Sequence, residues 1–503
     1  MGGLELLIAA PLVGAAVVLG LGTAREHLGA WVGVAVGSVT LVASVFPWAA
    51  TMRSDGDFVA TTDTSWIAAL DVRWSLGVDA LSAPLVVLTA LLSWCCLVAL
   101  LRRAPDCGFR PGLIALVLVI EAASIGTFAA LDLIVFFVFF ELVLIPMWFV
   151  IAQWGDDKVS GGRVRAANVF ILYTVLGSAV MLLGILLVGL TAGTFDIVEL
   201  TSRAGAGMSH RTQVLAFLAL ALGLAVKAPI WPLHSWLPDA HTAAPTVGSV
   251  LLAGVLLKMG TYGLIRIAVP IVPEGAEALA PFLGALAVVG ILYGSLACLA
   301  QTDLKRLIAF SSVGHMGFVL LGISTLTPVG INGALYANVA HGLITGLLFF
   351  LAGAIKDRHH TADLDLLGGG LYERMPRLGG LLAFAAVASL GLPGLAGFWG
   401  EMLVLLGAFD PAPGLSRPYY LVLMALAGVG VVLTTTYFVM VVRRVAQGSS
   451  FQAWKDAVLL RDATTHELVV WSPVVVLVVA FGLWPGWLLR ATDPVVRRLL
   501  GSS

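Results

Sequence analysis

Residues 217–260 read FLALALGLAVKAPIWPLHSWLPDAHTAAPTVGSVLLAGVLLKMG. Lys227 and Lys258 fall within apolar sequence, and Pro229, Pro232 and Pro238 are among the residues that separate them. A charged side chain at the centre of a bilayer costs about 3 kcal/mol or more, so lysines at that depth mark ion or proton pathways. The prolines interrupt a run far too long for one straight span, which predicts a broken helix at a polar node. The stretch therefore predicts a membrane protein that moves ions.

Composition agrees with that setting. Of 503 residues, 59% are hydrophobic and 11% charged, and the mean hydropathy is +1.00, values that a soluble globule cannot carry. A net charge of −1 leaves no electrostatic footprint for nucleic acid. Cys95, Cys96, Cys107 and Cys298 have neither CxxC spacing nor adjacent histidines, and no dinucleotide or phosphate-binding glycine motif is visible. No metal or redox centre is expected in this chain. The apolar run that opens the chain is expected to be a retained first helix, because no convincing cleavage site follows it.

Apolar runs of about 20 residues place helices at 4–21, 29–50, 80–101, 112–130, 132–153, 167–190, 213–246, 247–268, 279–301, 305–325, 332–355, 378–409, 418–442 and 467–489. The expected fold is an all-α polytopic membrane protein of about fourteen transmembrane helices, with discontinuous helices at segments 7 and 12. These two lie five helices apart, so two inverted five-helix repeats are expected, with binding groups near the midplane. The corresponding division is 1–111 for helices 1–3, 112–268 and 269–442 for the repeats, and 443–503 for a loop and helix 14. Lys and Arg number 17 on the loops of one face against 9 on the other, which predicts that the richer face is cytoplasmic and both termini are outside.

The remaining ionisable groups in the apolar runs compete with plain structural readings. Glu141, in LIVFFVFFELVLIPMWFVIAQW, is either a carboxyl kept neutral by burial or the partner of a buried lysine. Pro229 is expected to free the carbonyl of Ala225, and Pro232 that of Ala228, on either side of Lys227. A lysine there either snorkels to the interface or carries a proton; Lys258 lies deeper, where snorkelling is harder. His234, His315 and His341 are candidate relays, each with a structural alternative, since imidazole both accepts and donates a proton near neutral pH. Glu401 follows the break at Pro393 and is expected to be the repeat counterpart of Lys227, or else an interfacial carboxylate. Glu121 is a second-rank candidate. His359 and His360 are expected to be solvated, and Lys305 and Arg306 to fix topology.

LAVKAPIWPLHSWLPDAHTAAPTVGSVLLAGVLLKMGTYGLIR (224–266), DLKRLIAFSSVGHMGF (303–318) and GLPGLAGFWGEM (391–402) together closely resemble the antiporter-like membrane subunits of respiratory complex I. The glutamate in GFWGEM, where many relatives carry a lysine, and the absence of a long lateral helix point to the subunit M class. Val169 stands where many relatives have a lysine, so that position receives no role. The resemblance implies a subunit of proton-translocating NADH:quinone oxidoreductase. NADH, FMN, iron-sulfur clusters and quinone would be handled by other subunits, with no cofactor in this chain. Flanking antiporter-like subunits and the lipid bilayer would be its partners, in a bacterial plasma membrane.

By that resemblance Glu141 and Lys227 form a switchable ion pair, Lys258 and His315 the central relay and Glu401 the outlet, with His234 and His341 supporting. Moving one charge against about 200 mV takes about 4.6 kcal/mol, or about 3.4 in pKa, within the reach of buried acids and amines. A sodium/proton antiporter subunit, a membrane-bound hydrogenase subunit and a purely structural subunit remain alternatives.

Overall fold

Hydrocarbon offers the backbone no hydrogen bonds, so apolar sequence of this kind closes its own bonds in helices. The computed structural model describes residues 3–54, 56–102, 109–157, 161–448 and 461–501. Arg103, Cys107, Lys158 and Lys455, which enter the charge and cysteine readings, lie outside the described residues. The chain begins with α1 (Gly3–Leu21) and α2 (Glu26–Thr51), then β1 (Val59–Ile67), β2 (Val72–Val78), α3 (Ala83–Ala99) and α4 (Arg110–Ala129). Next come α5 (Leu133–Leu142), α6 (Leu144–Trp154), α7 (Gly162–Ala192), α8 (Ile197–Arg203), α9 (His210–Lys227) and α10 (Trp236–Ala243). The central helices are α11 (Thr246–Ile271), α12 (Pro273–Leu299), α13 (Leu304–Ser324) and α14 (Pro328–His359). The chain continues through α15 (Leu364–Leu367), α16 (Leu371–Arg374), α17 (Pro376–Ser389) and α18 (Ala396–Phe409). It closes with α19 (Arg417–Ala446), α20 (Thr465–Leu483) and α21 (Gly486–Leu499).

Among the described residues, eleven helices are long and apolar enough to cross a membrane, which accounts for eleven of the fourteen expected spans. The other three are the short α3 and the two broken segments. Helix breaks stand where proline and glycine predicted them, between Lys227 and Trp236 and between Ser389 and Ala396. Helices α4, α11, α13 and α14 are buried along most of their length, whereas α2, α7 and α19 present long apolar faces outward. The ionisable groups of the first set are thereby shielded from lipid.

A recurring joint ties the bundle together. Asp132 caps α5 by accepting from the N–H groups of Ile134 and Val135, and Asp196 caps α8 by accepting from Glu199 N. The backbones around these two aspartates pair antiparallel, with Leu133 N donating to Phe195 O and Ile197 N to Leu131 O. Asp303 and Asp363 repeat the arrangement ahead of α13 and α15, with Leu304 N donating to Ala362 O and Leu364 N to Thr302 O. Such side-chain caps satisfy N–H groups that a helix start otherwise leaves open.

Three expectations change, and the helical class gains one addition: β1 and β2 form an antiparallel hairpin with Val59 opposite Val78 and Ile67 opposite Val72. Arg73 clamps it by donating twice to Asp63, a short strand signal hidden between long apolar runs. Segment 5 is interrupted at Val143, because Pro146 has no N–H to offer Leu142. The last segment ends at Leu483, and a separate amphipathic helix, α21, follows. His359 is not solvated; it is buried at the end of α14, with Nδ1 3.1 Å from Ile355 O.

Candidate functional site

Lys258 sits in α11 between two π-helical turns, Leu252–Leu256 and Leu264–Ala268. A π turn widens the helix and leaves carbonyls outside the usual ladder, a feature often found at functional sites. Lys258 is fully buried, and its Nζ donates to one such carbonyl, Ala253 O, at 2.5 Å. The same Nζ lies 2.6 Å from His341 Nδ1 on α14. Close approach of the backbones makes this possible: Gly254 leaves room for Leu92 and Gly342 O, and Gly260 for Leu224 O.

From His341 the polar run continues across α13 to α18. The His341 and His315 rings meet edge to face with centroids 5.4 Å apart. His315 Nδ1 lies 3.3 Å from Glu401 Oε1, and its Nε2 lies 3.0 Å from Ser389 Oγ at the end of α17. Glu401 is 8% exposed. Lys258, His341, His315 and Glu401 thus form a transverse row of amine, imidazole, imidazole and carboxylate. Each group accepts or releases a proton, so the row has the chemistry of a relay.

The break between α17 and α18 shapes the last station. Gly391 has φ +81°, and a Cβ there would lie 2.9 Å from Glu401 Oε2. Gly391→Ala therefore displaces the Glu401 carboxylate as well as straining a left-handed backbone position by about 1–2 kcal/mol. We expect an assembled protein whose proton flux falls severalfold, measured as acidification of inverted membrane vesicles; unchanged flux would show that the carboxylate position is not critical.

Lys227 and Glu141 are arranged differently from expectation. Lys227 is the last residue of α9, and its Nζ donates to Phe140 O at 3.2 Å and lies 4.4 Å from the Phe140 ring centroid. It forms no contact ion pair with Glu141, whose Oε1 has no hydrogen-bond partner, although the two charges remain within electrostatic range. The acceptor for Lys227 is therefore the backbone of the residue beside Glu141. Nor is the Ala225 carbonyl free, because Ile230 N occupies it at 2.9 Å. Lys227 precedes its helix break, whereas Glu401 follows its own.

His234 is not joined to the row. Its ring packs against Tyr293 at 5.0 Å and Phe310 at 6.4 Å, and its Nδ1 has no partner. Glu121 is fully buried on α4 with neither carboxylate oxygen partnered, apart from the row's direct contacts. One group escaped the sequence reading, and a second was read only as a topology marker. His241 is fully buried, stacked on Phe349 at 4.6 Å, with both ring nitrogens unpartnered and within electrostatic range of Lys258. Lys305 is buried rather than a surface charge, and donates to Ala244 O at 2.7 Å. A cavity of about 720 Å³ opens above it, with Lys356, Asp156, His360, Glu467 and Trp471 in its wall. The signal for His241 was its place in LPDAHTAAP, between the two lysines.

The family model described as NADH:quinone oxidoreductase/Mrp antiporter, TM, matches residues 130–434. NADH-quinone oxidoreductase subunit M of Rhodobacter capsulatus is 38% identical, over 98% of this chain and 94% of that protein. This chain belongs to the subunit M family of NADH-quinone oxidoreductases. NADH-ubiquinone oxidoreductase chain 4 of Marchantia polymorpha is 34% identical over 98% of this chain and 96% of its own length. Among solved structures, a chain of respiratory complex I from Thermus thermophilus with bound NADH superposes with a TM-score of 0.86 at 29% identity, covering 99% of both chains. A chain of the Mrp complex from Dietzia sp. DQ12-45-1b has the same fold, with a TM-score of 0.84 at 23% identity, over 99% of this chain and 97% of that one. The subunit M family is thus matched along nearly the whole chain, including every helix that bears the row.

Proposed function

We propose that this subunit M relative translocates protons along Lys258, His341, His315 and Glu401, driven by NADH:quinone oxidoreduction in partner subunits. The row of closely spaced titratable groups carries the reading. NADH, FMN, iron-sulfur clusters and quinone are assigned to those partners, and flanking antiporter-like subunits are its neighbours in the membrane. The basic loops support a bacterial plasma-membrane orientation with both termini outside. Amine and imidazole groups favour protons over sodium, which as a hard cation prefers oxygen ligands.

Glu141 and Lys227 supply the switch. Rotation of the Lys227 side chain from Phe140 O to the neighbouring Glu141 carboxylate changes the field at the row, which lowers or raises the cost of a proton on Lys258. Glu141→Gln keeps the shape and removes that charge. It is expected to leave the complex assembled while proton pumping with NADH falls about 10-fold or more; normal pumping would remove Glu141 from the mechanism. The wider reading is tested by purifying the tagged chain from gently solubilised membranes. NADH:quinone reductase activity should accompany it, and an intact assembly without that activity would overturn the assignment.

A further inference from the structure

The row has one gap that its named members do not close. His341 and His315 meet edge to face with ring centroids 5.4 Å apart, without a hydrogen bond between them. Both rings line one small cavity, together with Thr345, Ser389 and Glu401 and with apolar residues that include Phe318 and Ile344. Two buried polar atoms of its lining residues, His341 Nε2 and Thr345 Oγ1, have no hydrogen-bond partner among the described residues. The cavity measures about 20 Å³, which is room for about one water molecule, and within a mostly apolar wall these atoms, Ser389 and Glu401 are the polar partners a water needs.

Ser389 Oγ completes this arrangement, 3.0 Å from His315 Nε2. It lies at the end of α17, just before the helix break. We propose that the Ser389 hydroxyl is a relay group that carries the proton from the His341 side of the cavity into His315. This rests on the translocation reading above and adds to it a residue and a tautomer.

The proton count closes. With Lys258 charged and donating to His341 Nδ1, the ring proton of His341 sits on Nε2, which has no hydrogen-bond partner among the described residues. That proton passes to Ser389 Oγ, directly or through one water, as the serine gives its own to His315 Nε2. His315, until then protonated at Nδ1, releases the Nδ1 proton to the Glu401 carboxylate at 3.3 Å. His341 has lost one proton, which Lys258 restores, and Glu401 has gained one. Ser389 and His315 end with the number they began with. A serine is suited to this because its hydroxyl donates and accepts at once.

Ser389→Ala, Ser389→Thr and Lys258→Met are compared in the intact complex in native membranes. Assembly is followed by NADH oxidation with an artificial acceptor, and pumping by acidification of inverted vesicles. Ser389→Ala is expected to lower pumping and coupled quinone reduction by roughly 10-fold, and Ser389→Thr, which restores a hydroxyl, to recover most of it. Equal losses in both variants, or no loss in either, would overturn the proposal. If Ser389→Ala does not assemble, Ser389→Cys decides: near-isosteric but a poor hydrogen-bonding relay, it should lose pumping severalfold, and normal pumping overturns the proposal. Normal pumping by Ser389→Ala with none by Lys258→Met removes the serine and keeps the row. Normal pumping by both removes the row as well.

Discussion

Lys258→Met is expected to abolish proton translocation in a complex that still assembles. Methionine matches the length and flexibility of lysine, so the helix contacts around α11 survive the substitution. What disappears is the group that joins Ala253 O to His341 Nδ1. Removing a buried ammonium spares the chain its desolvation cost, and such replacements are often neutral for folding. Against this stand two acceptors that lose their donor, at about 1–3 kcal/mol each, partly offset if water takes its place. The balance predicts normal assembly, with proton uptake by inverted vesicles and coupled quinone reduction falling about 10-fold or more. Vesicles that acidify normally would show that the row is structural.

Arg266→Met is expected to act on stability instead. Arg266, near the end of α11, is in direct contact with Asp79 ahead of α3, and their side chains are 4% and 1% exposed. Asp79 also accepts from Leu81 N at 3.0 Å and Ser82 N at 3.2 Å. The pair therefore staples the hairpin and the start of α3 to the central helix. Breaking a buried pair leaves the surviving charge without compensation, at about 3–5 kcal/mol. We expect much less chain in the membrane and a markedly lower melting temperature of the purified complex. Combining Asp79→Asn with Arg266→Met should restore more than half of the loss, because asparagine still accepts from both backbone N–H groups. A double variant as unstable as the single one would show that the ion pair is not the staple. Since Arg266 lies outside the row, the fraction that assembles should pump normally.

The two broken helices were legible in the sequence because proline removes a backbone donor wherever it stands. Lys258 was legible because hydrocarbon makes an ionisable group too costly to keep without a use. The same arguments went astray where neighbours intervene. The Ala225 carbonyl, expected to be free, is taken by Ile230 N, and Lys305, expected to mark topology, is buried in the lining of a cavity. The hairpin was lost for a different reason: two short strands, the first without an apolar/polar alternation, carry little signal beside twenty-residue apolar runs.

By itself the sequence determined the membrane setting, the helical class, the positions of the two breaks and the set of groups worth suspecting. These follow from transfer costs and backbone donors, which belong to each residue type and its near neighbours. Only the tertiary structure decided which suspects touch. It set Lys258 against His341, 83 residues away, at 2.6 Å, and His315 against Glu401 at 3.3 Å. It left His234 among aromatic rings, turned Lys227 toward Phe140 O rather than Glu141, and brought Ser389 to His315. Proton transfer needs contacts of about 3 Å. Whether two buried groups come that close depends on where glycines let helices approach and where π turns rotate a side chain, which are properties of the packed bundle.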